Sequence, residues 1–241
     1  MTIPSPEEPI LDLPRPEISI LHEDDWVVVA DKPPLLLVHR SRESTDRVFL
    51  LQELSAKVGQ HLYPVHRLDR AASGVIAMAK SSEAARALQS SLAADDAVKE
   101  YLVLVRGETP ERGVIDRPLT DRSTEARTKK AAWTSFERIA FFSRSSLLRV
   151  RIKTGRHHQI RRHFAHLAHQ VIGCSHHGKG RINTFFRETY GLPRLFLHAR
   201  VLDVEHPSKE GRLRVEAPLA EDLRAFLLRL PDIDRELVAR L

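Results

Sequence analysis

One cysteine, Cys174, is present in 241 residues. That excludes an intrachain disulfide framework and a cysteine-rich zinc site, and it fits a reducing compartment. Long apolar runs are also missing, since none approaches the ~18 residues that a membrane span needs. The first residues, MTIPSPEEPILDLPRPE, carry neither the basic nor the apolar region of a secretory signal, so the cytoplasm is the expected location. Acidic residues are missing from one long stretch. Between Arg138 and Arg187 there is no Asp or Glu, while eleven Lys or Arg fall there, leaving 27 basic against 32 acidic residues elsewhere. A merely solvated face mixes its signs, so this basic third points to a polyanionic partner, with nucleic acid ahead of an anionic membrane.

What is present reads as a soluble globular chain, with 42% hydrophobic and 29% charged residues. Residues 1–17 hold five of the fourteen prolines and four acids. They are expected to form a mobile arm before one catalytic domain over 18–241. From Ile18, ISILHEDDWVVVADKP predicts two strands around an acidic turn. RVFLLQELSAKVG predicts a helix ended by Gly59, GVIAMAK a strand, and SSEAARALQSSLAA a helix capped by Ser81 or Ser82. VKEYLVLVRG, AAWTSFERIA and SLLRVRIKTG predict strands. In the last of these, Leu148, Val150 and Ile152 alternate with Arg149, Arg151 and Lys153, so period two sets an apolar face against a three-cation ridge. HHQIRRHFAHLAH predicts a basic helix with Ile160, Phe164 and Leu167 as its apolar stripe, ARVLDVEHP and GRLRVEAP a hairpin, and LAEDLRAFLLRL a closing helix. Glu108 to Lys130 reads as a polar connection. The interspersed order predicts an α+β fold with a mixed or antiparallel central sheet, flanking helices and a cleft.

Three chemistries can be set aside. GCSHHGKG nearly matches the phosphate loop G-x-x-x-x-G-K-[ST], but Gly180 replaces the hydroxyl and the segment follows a helix, so no nucleotide cofactor is expected. His163, His166 and His169 recur every third residue and drift around a helix, unlike i, i+4 zinc ligands, so no metal is expected. Ser73 and Cys174 lack the settings of nucleophilic hydrolases. What remains is PVHRLDRAASG, which sets one carboxylate, Asp69, between Arg67 and Arg70. Guanidinium neighbours favour an ionised carboxylate.

HRLDRAASG resembles the active-site motif H-R-L-D-x-x-T-S-G of the pseudouridine synthase family that includes ribosomal large-subunit and small tRNA enzymes. VVADKPPLLLVHRS, KEYLVLVRG, KTGRHHQIRRHFAHLAHQVIG and RLFLHARVLDVEHP are similar, in order, to the family's other motifs, and together they cover about Ile18 to Ala217. Ala72 departs from the usual Thr and Cys174 from the usual Asp. The resemblance implies isomerisation of uridine without cofactor, with Asp69 acting as nucleophile or as base toward the ribose. It implies Arg161 as the partner of Asp69, Tyr101 stacking on the flipped base, and Arg67 entering the vacated stack. Ile160, His66 and Ser73 would support these residues. Arg70, Arg149, Arg151, Lys153, Arg156, His157 and Arg162 would follow the RNA backbone. VHRS, GQHLYPVHRLDR, RRHFAHLAH and HHGKGRIN are most similar to members that modify the uridine at position 65 in the T-arm stem of tRNA. A monomer without an S4-type RNA-binding module is expected. Other RNA positions, ribosomal RNA as substrate, and a non-catalytic RNA-binding or chaperone role remain alternatives at this point.

Overall fold

A computed structural model describes residues 17–40, 46–121 and 127–241. The expected N-terminal arm lies, apart from Glu17, outside the described residues. The acidic turn opens the fold as the period-two reading predicts, joining β1 (Ser19–Glu23) to β2 (Val27–Lys32). Asp24 shapes that turn, its Oδ1 accepting from the Trp26 and Val27 amides at 2.7 and 2.9 Å. Helix α1 (Leu50–Val58) ends where Gly59 takes a left-handed φ of 77°. After β3 (Tyr63–Pro64) and β4 (Ser73–Ala79), α2 (Ser82–Ala93) starts on Ser81, whose side chain accepts from the Ala84 amide.

The remaining strands build one large sheet. β5 (Val98–Arg106), β6 (Arg112–Asp116), β9 (Trp133–Phe142) and β10 (Ser145–Ile152) precede β11 (Leu197–Glu205) and β12 (Arg212–Glu216). Between β6 and β9, β7 (Leu119–Thr120) and β8 (Lys129–Lys130) form a separate ribbon. The main order is β1-β2-β4-β11-β5-β10-β9-β6, with β3 against β4 and β12 against β11. Among the described strands every pairing in this sheet is antiparallel except β4 with β11, where Ser73 lies opposite His198 and Gly74 opposite Ala199. Gly74 has φ 108°, and a Cβ there would lie 2.1 Å from the Ala199 carbonyl oxygen, so this seam admits no side chain. The segment between Glu108 and Lys130, read as a connection, thus contains strands; RGVID is too short and too polar to announce one.

Both faces of the central strands are covered, which explains why β4 is buried along its whole length. On one face Val28, Ile76, Val103, Leu148 and Val150 pack with Leu50 and Leu54 of α1 and with Ile160 and Phe164 of α3 (Gln159–His166). On the other, Val27, Val75 and Leu202 pack with Leu88 of α2. Beside them Leu102, Leu104 and Leu147 pack with Phe186 of α4 (Gly180–Tyr190), Phe226 of α5 (Glu221–Leu227) and Val238 of α6 (Arg235–Ala239). Helix α3 is shorter than its sequence pattern. Ala168 adopts φ 61° and turns the chain, so Leu167 lies beyond the helix and is 40% exposed instead of completing the apolar stripe.

Two histidines are folded in as neutral rings. His66 Nε2 accepts the Ala77 amide at 2.9 Å, a bond that protonation would break. His198, fully buried, pairs its Nδ1 with Ser73 Oγ at 2.9 Å. Burial lowers both rings to about 4 from an ordinary 6.5. Between those values the unfolded chain binds a proton that the folded chain refuses, so stability is present above about 6.5 and is lost as pH falls toward about 4. Thermal melts should therefore decline from pH 7 to pH 4.5 by on the order of 2 kcal/mol per ring, and His198→Gln should flatten the profile. Identical melting temperatures at the two pH values would refute the assignment.

Candidate active site

Asp69 lies in the loop between β3 and β4, and buried cations fix that loop from below. Lys32, at the end of an apolar strand and fully buried, donates to the carbonyls of Pro33 and Leu36 at 2.8 Å each and of Arg70 at 3.3 Å. Burial lowers its ammonium to about 7, with Asp69 opposing the fall. Arg194, also buried, donates through Nη1 to the Ala71 carbonyl at 3.1 Å and through Nη2 to Ser73 Oγ at 2.9 Å. The same guanidinium makes a bidentate pair with Asp222 at 2.6 and 2.9 Å. Two consecutive carbonyls after Asp69 are thus each held by a cation. Ala72, buried, leaves no hydroxyl there, and the Ala72 amide closes the turn onto the Asp69 carbonyl at 3.0 Å.

Helix α3 brings the facing charge. Gln159, buried at its start, accepts from Thr154 Oγ1 and the Arg156 amide and donates to the Trp133 carbonyl and Thr134 Oγ1. These bonds lock the helix entry to β9. Arg161, 92 residues from Asp69 in sequence, donates from Nη1 to Asp69 Oδ2 at 2.8 Å. Its Nε donates to Cys174 Sγ at 3.2 Å, and its Nη2 lies 3.4 Å from His176 Nδ1. The thiol also accepts the His177 amide at 3.3 Å, so Cys174 serves as an acceptor for the guanidinium where the family pattern has an acid. His158 stands 3.9 Å from the other Asp69 oxygen, Oδ1, in a left-handed conformation of φ 52° that stacks it on His157 at 3.7 Å. Burial lowers His158 to about 4, against the pull of Asp69, so the ring is neutral at pH 7. The Tyr101 phenol is pushed up by burial and by the Asp69 charge, which keeps it protonated.

Asp69, Tyr101, His158 and Arg161 line one cleft of about 620 Å³, within the size range of small-molecule sites. Of the residues singled out from sequence, Asp69, Arg67, Tyr101, Arg156, His157, Ile160, Arg161 and Arg162 all border it. Ser73 and His66 lie beneath, in the hydrogen bonds already described. Arg70 turns outward to Asp46 at 2.9 Å, so the guanidinium that contacts Asp69 is Arg161, not its neighbour in the loop. The β10 ridge is placed differently from the expectation. Arg149, Arg151 and Lys153 alternate with the cleft-side Leu148, Val150 and Ile152, so they point to the opposite face of the sheet. There Arg149 meets Glu100 and Glu137, Arg151 meets Glu100, and Lys153 meets Asp95. Lys32, Arg194, Gln159 and His158 were not legible as site residues, although a lysine closing an apolar strand before two prolines was a usable signal.

Among the described residues, the one group of three whose metal-binding atoms come within 4.8 Å of one another is His22, Asp24 and His206, away from this cleft. It ties β1 to the β11–β12 turn, Asp24 Oδ2 lying 2.7 and 2.9 Å from the two rings. No helix among the described residues is long and apolar enough to cross a membrane.

Known proteins resemble this chain over most of its length. Residues 26–166 match the family described as RNA pseudouridylate synthase. The chain is 36% identical over 222 residues to tRNA pseudouridine synthase C of Haemophilus ducreyi, covering 84% of this chain and 91% of that protein. It is also 36% identical over 244 residues to the protein of that name from Salmonella typhimurium, covering 90% and 94%. The solved structure of human RNA Pseudouridylate Synthase Domain Containing 4 shares the fold, with a TM-score of 0.71 at 23% identity over 88% of this chain and 92% of that one. On the matched residues and the extent of these likenesses, the chain belongs to the RNA pseudouridylate synthase family.

Proposed function

We propose that this protein isomerises uridine to pseudouridine in tRNA, at position 65 of the T-arm stem, with Asp69 as the reacting group. The observation that carries the reading is the Asp69 carboxylate in an open cleft, gripped on one oxygen by Arg161 and presenting the other, while the second acid lining the cleft, Asp121, is paired with Lys130 at 2.7 Å. The relatives named tRNA pseudouridine synthase C support tRNA as the substrate. In the reaction the bond from ribose C1′ to the base N1 breaks, the base turns, C1′ bonds to C5, and the proton on C5 passes to N1. Nothing is oxidised or reduced, and no phosphate donor is consumed. Asp69 acts on the ribose as nucleophile or base through the oxygen that Arg161 leaves open. Arg161 holds that carboxylate aimed while the base is detached.

The uridine must leave its stem to reach the cleft. Tyr101 offers a ring for the flipped base, and stacking of this kind is worth ~1–3 kcal/mol against the few kcal/mol of unstacking. Arg67, exposed at the rim, takes the vacated place in the stack, and Arg156, His157 and Arg162 meet the backbone around it. The protein works as a monomer in the cytoplasm, without a nucleotide cofactor, and its catalytic domain runs over 18–241.

Asp69→Asn keeps the volume of the side chain and removes its charge. Single-turnover tritium release from 5-tritiated uridine in tRNA should fall to background while filter binding of tRNA holds or improves. Release by a folded Asp69→Asn protein would sink the mechanism. Arg161→Ala should slow turnover by about 100-fold or more with a smaller loss of affinity, since phosphate contacts are many and the partner of a reacting carboxylate is unique. Lost affinity with an intact single-turnover rate would reassign Arg161 to the RNA backbone. Carbodiimide mapping in cells with and without the gene tests the position. The modification at uridine 65 of tRNA should disappear, and a loss confined to ribosomal RNA would overturn the substrate.

A further inference from the structure

The acid-free third of the chain is not uniformly unneutralised in space. Arg138 pairs with Glu108, Arg149 with Glu100 and Glu137, Arg151 with Glu100, Lys153 with Asp95 and Arg161 with Asp69. Arg144 and Arg181, by contrast, form no salt bridge among the described residues, and neither does Arg106 at the end of β5. These three cations converge on a second cavity of about 670 Å³, which also takes in Phe185 and Tyr190 of α4.

The cavity is built from held parts. Phe185 is 51% exposed, yet its ring is propped edge-on by Phe186 at 5.6 Å and by Tyr190 at 5.7 Å. Such an arrangement fixes an apolar ring toward solvent without hiding it. Arg144 comes from the two-residue turn between β9 and β10, where Ser143 and Arg144 both adopt positive φ, 47° and 56°. Turns of that type favour glycine and asparagine, so Ser and Arg there are strained. Asp232 holds the turn, accepting from the Ser143 amide at 2.7 Å and from its hydroxyl at 2.6 Å. Both Asp232 oxygens are engaged by Ser143, and among the described residues this acid forms no salt bridge with the arginine that follows.

We infer that this cavity binds a segment of the substrate RNA outside the target arm, with its phosphates on Arg106, Arg144 and Arg181 and an unpaired base on Phe185. Guanidiniums without acidic partners beside a fixed, exposed ring are the chemistry of single-stranded nucleic-acid binding. The inference rests on the reading of the chain as an RNA-modifying enzyme. Helix α4 supplies the link between the sites. His176 touches Arg161 in the cleft, and Arg181 follows five residues later, which bounds their separation at roughly 18 Å. Because the cavity opens on the sheet face opposite the cleft, an RNA that occupies both must extend beyond the arm held in the cleft.

The test compares full-length unmodified tRNA with the isolated T-arm hairpin, using wild-type protein, Arg144→Glu/Arg181→Glu and Phe185→Ala. All three substituted side chains are exposed, and melting curves check the fold. The double variant should weaken filter binding of full-length tRNA at least tenfold, and its plot of log affinity against log salt should be shallower by roughly 1–2. Phe185→Ala should weaken it about fivefold or more. Neither should change hairpin affinity by more than twofold. Equal losses on both RNAs, or none on tRNA, would overturn the inference; the latter would leave the cavity to a protein partner. Tritium release by wild-type protein from the full-length tRNA is scored separately. Its absence would refute the isomerase reading, whereas the contrast in binding decides the cavity.

Discussion

The pair between Asp69 and Arg161 is the interaction on which the site depends. A carboxylate and a guanidinium taken out of water repay their desolvation only if their remaining hydrogen-bonding groups are also satisfied. The surroundings meet that condition. The nitrogens of Arg161 not given to Asp69 face Cys174 and His176, and the Asp69 loop is tied down by Lys32 and Arg194. The sheet then keeps the two partners in register. β4 carries the carboxylate loop, β9 anchors the helix entry through Gln159, and β11, β5 and β10 lie between them in one sheet. Removing either charge would strand the other in a partly buried place, so the constraint acts on stability as well as chemistry.

Local charge around the pair is finely divided. Lys32 and Arg194 spend their donors on backbone and neighbouring side chains beneath the loop, while Arg67, Arg156 and Arg162 stand at the cleft. One set of cations shapes the loop without meeting solvent. The other borders the cleft opening, where a polyanion would enter. The histidines beside Asp69 remain neutral because burial outweighs its attraction, so the site does not accumulate positive charge near neutral pH.

Strands whose alternation or apolar length is strong were legible in the sequence: β2, β4, β5 and β10 fall where periodicity puts them. β6 and the β7–β8 ribbon were not, being short and polar, and α4 begins at Gly180 after Lys179 with no side-chain cap to announce it. Asp69 stood out by its arginine neighbours, but its actual partner comes from another element, and only the resemblance to known motifs indicated Arg161. The β10 ridge shows why charge counts along a chain mislead. Glu100 and Glu137 lie far from Arg149 and Arg151 in sequence and directly across from that ridge in the sheet. An acid-free stretch of sequence is not an acid-free surface.

The single parallel seam has a consequence for how the molecule comes into being. β4 is flanked by β2, made before it, and by β11, which brings His198 to Ser73 across 125 residues. Arg194, which holds the Asp69 loop, belongs to the same late segment. At ribosomal rates of roughly 5–20 residues per second, the N-terminal third waits on the order of ten seconds for this partner. During that interval the Ser73–Gly74 end of β4 lacks its β11 partner, and the carboxylate loop has neither its arginine clamp nor a complete sheet beneath it. The enzyme is therefore assembled only when nearly all of it has been synthesised, and the growing chain has no competent centre to present to RNA.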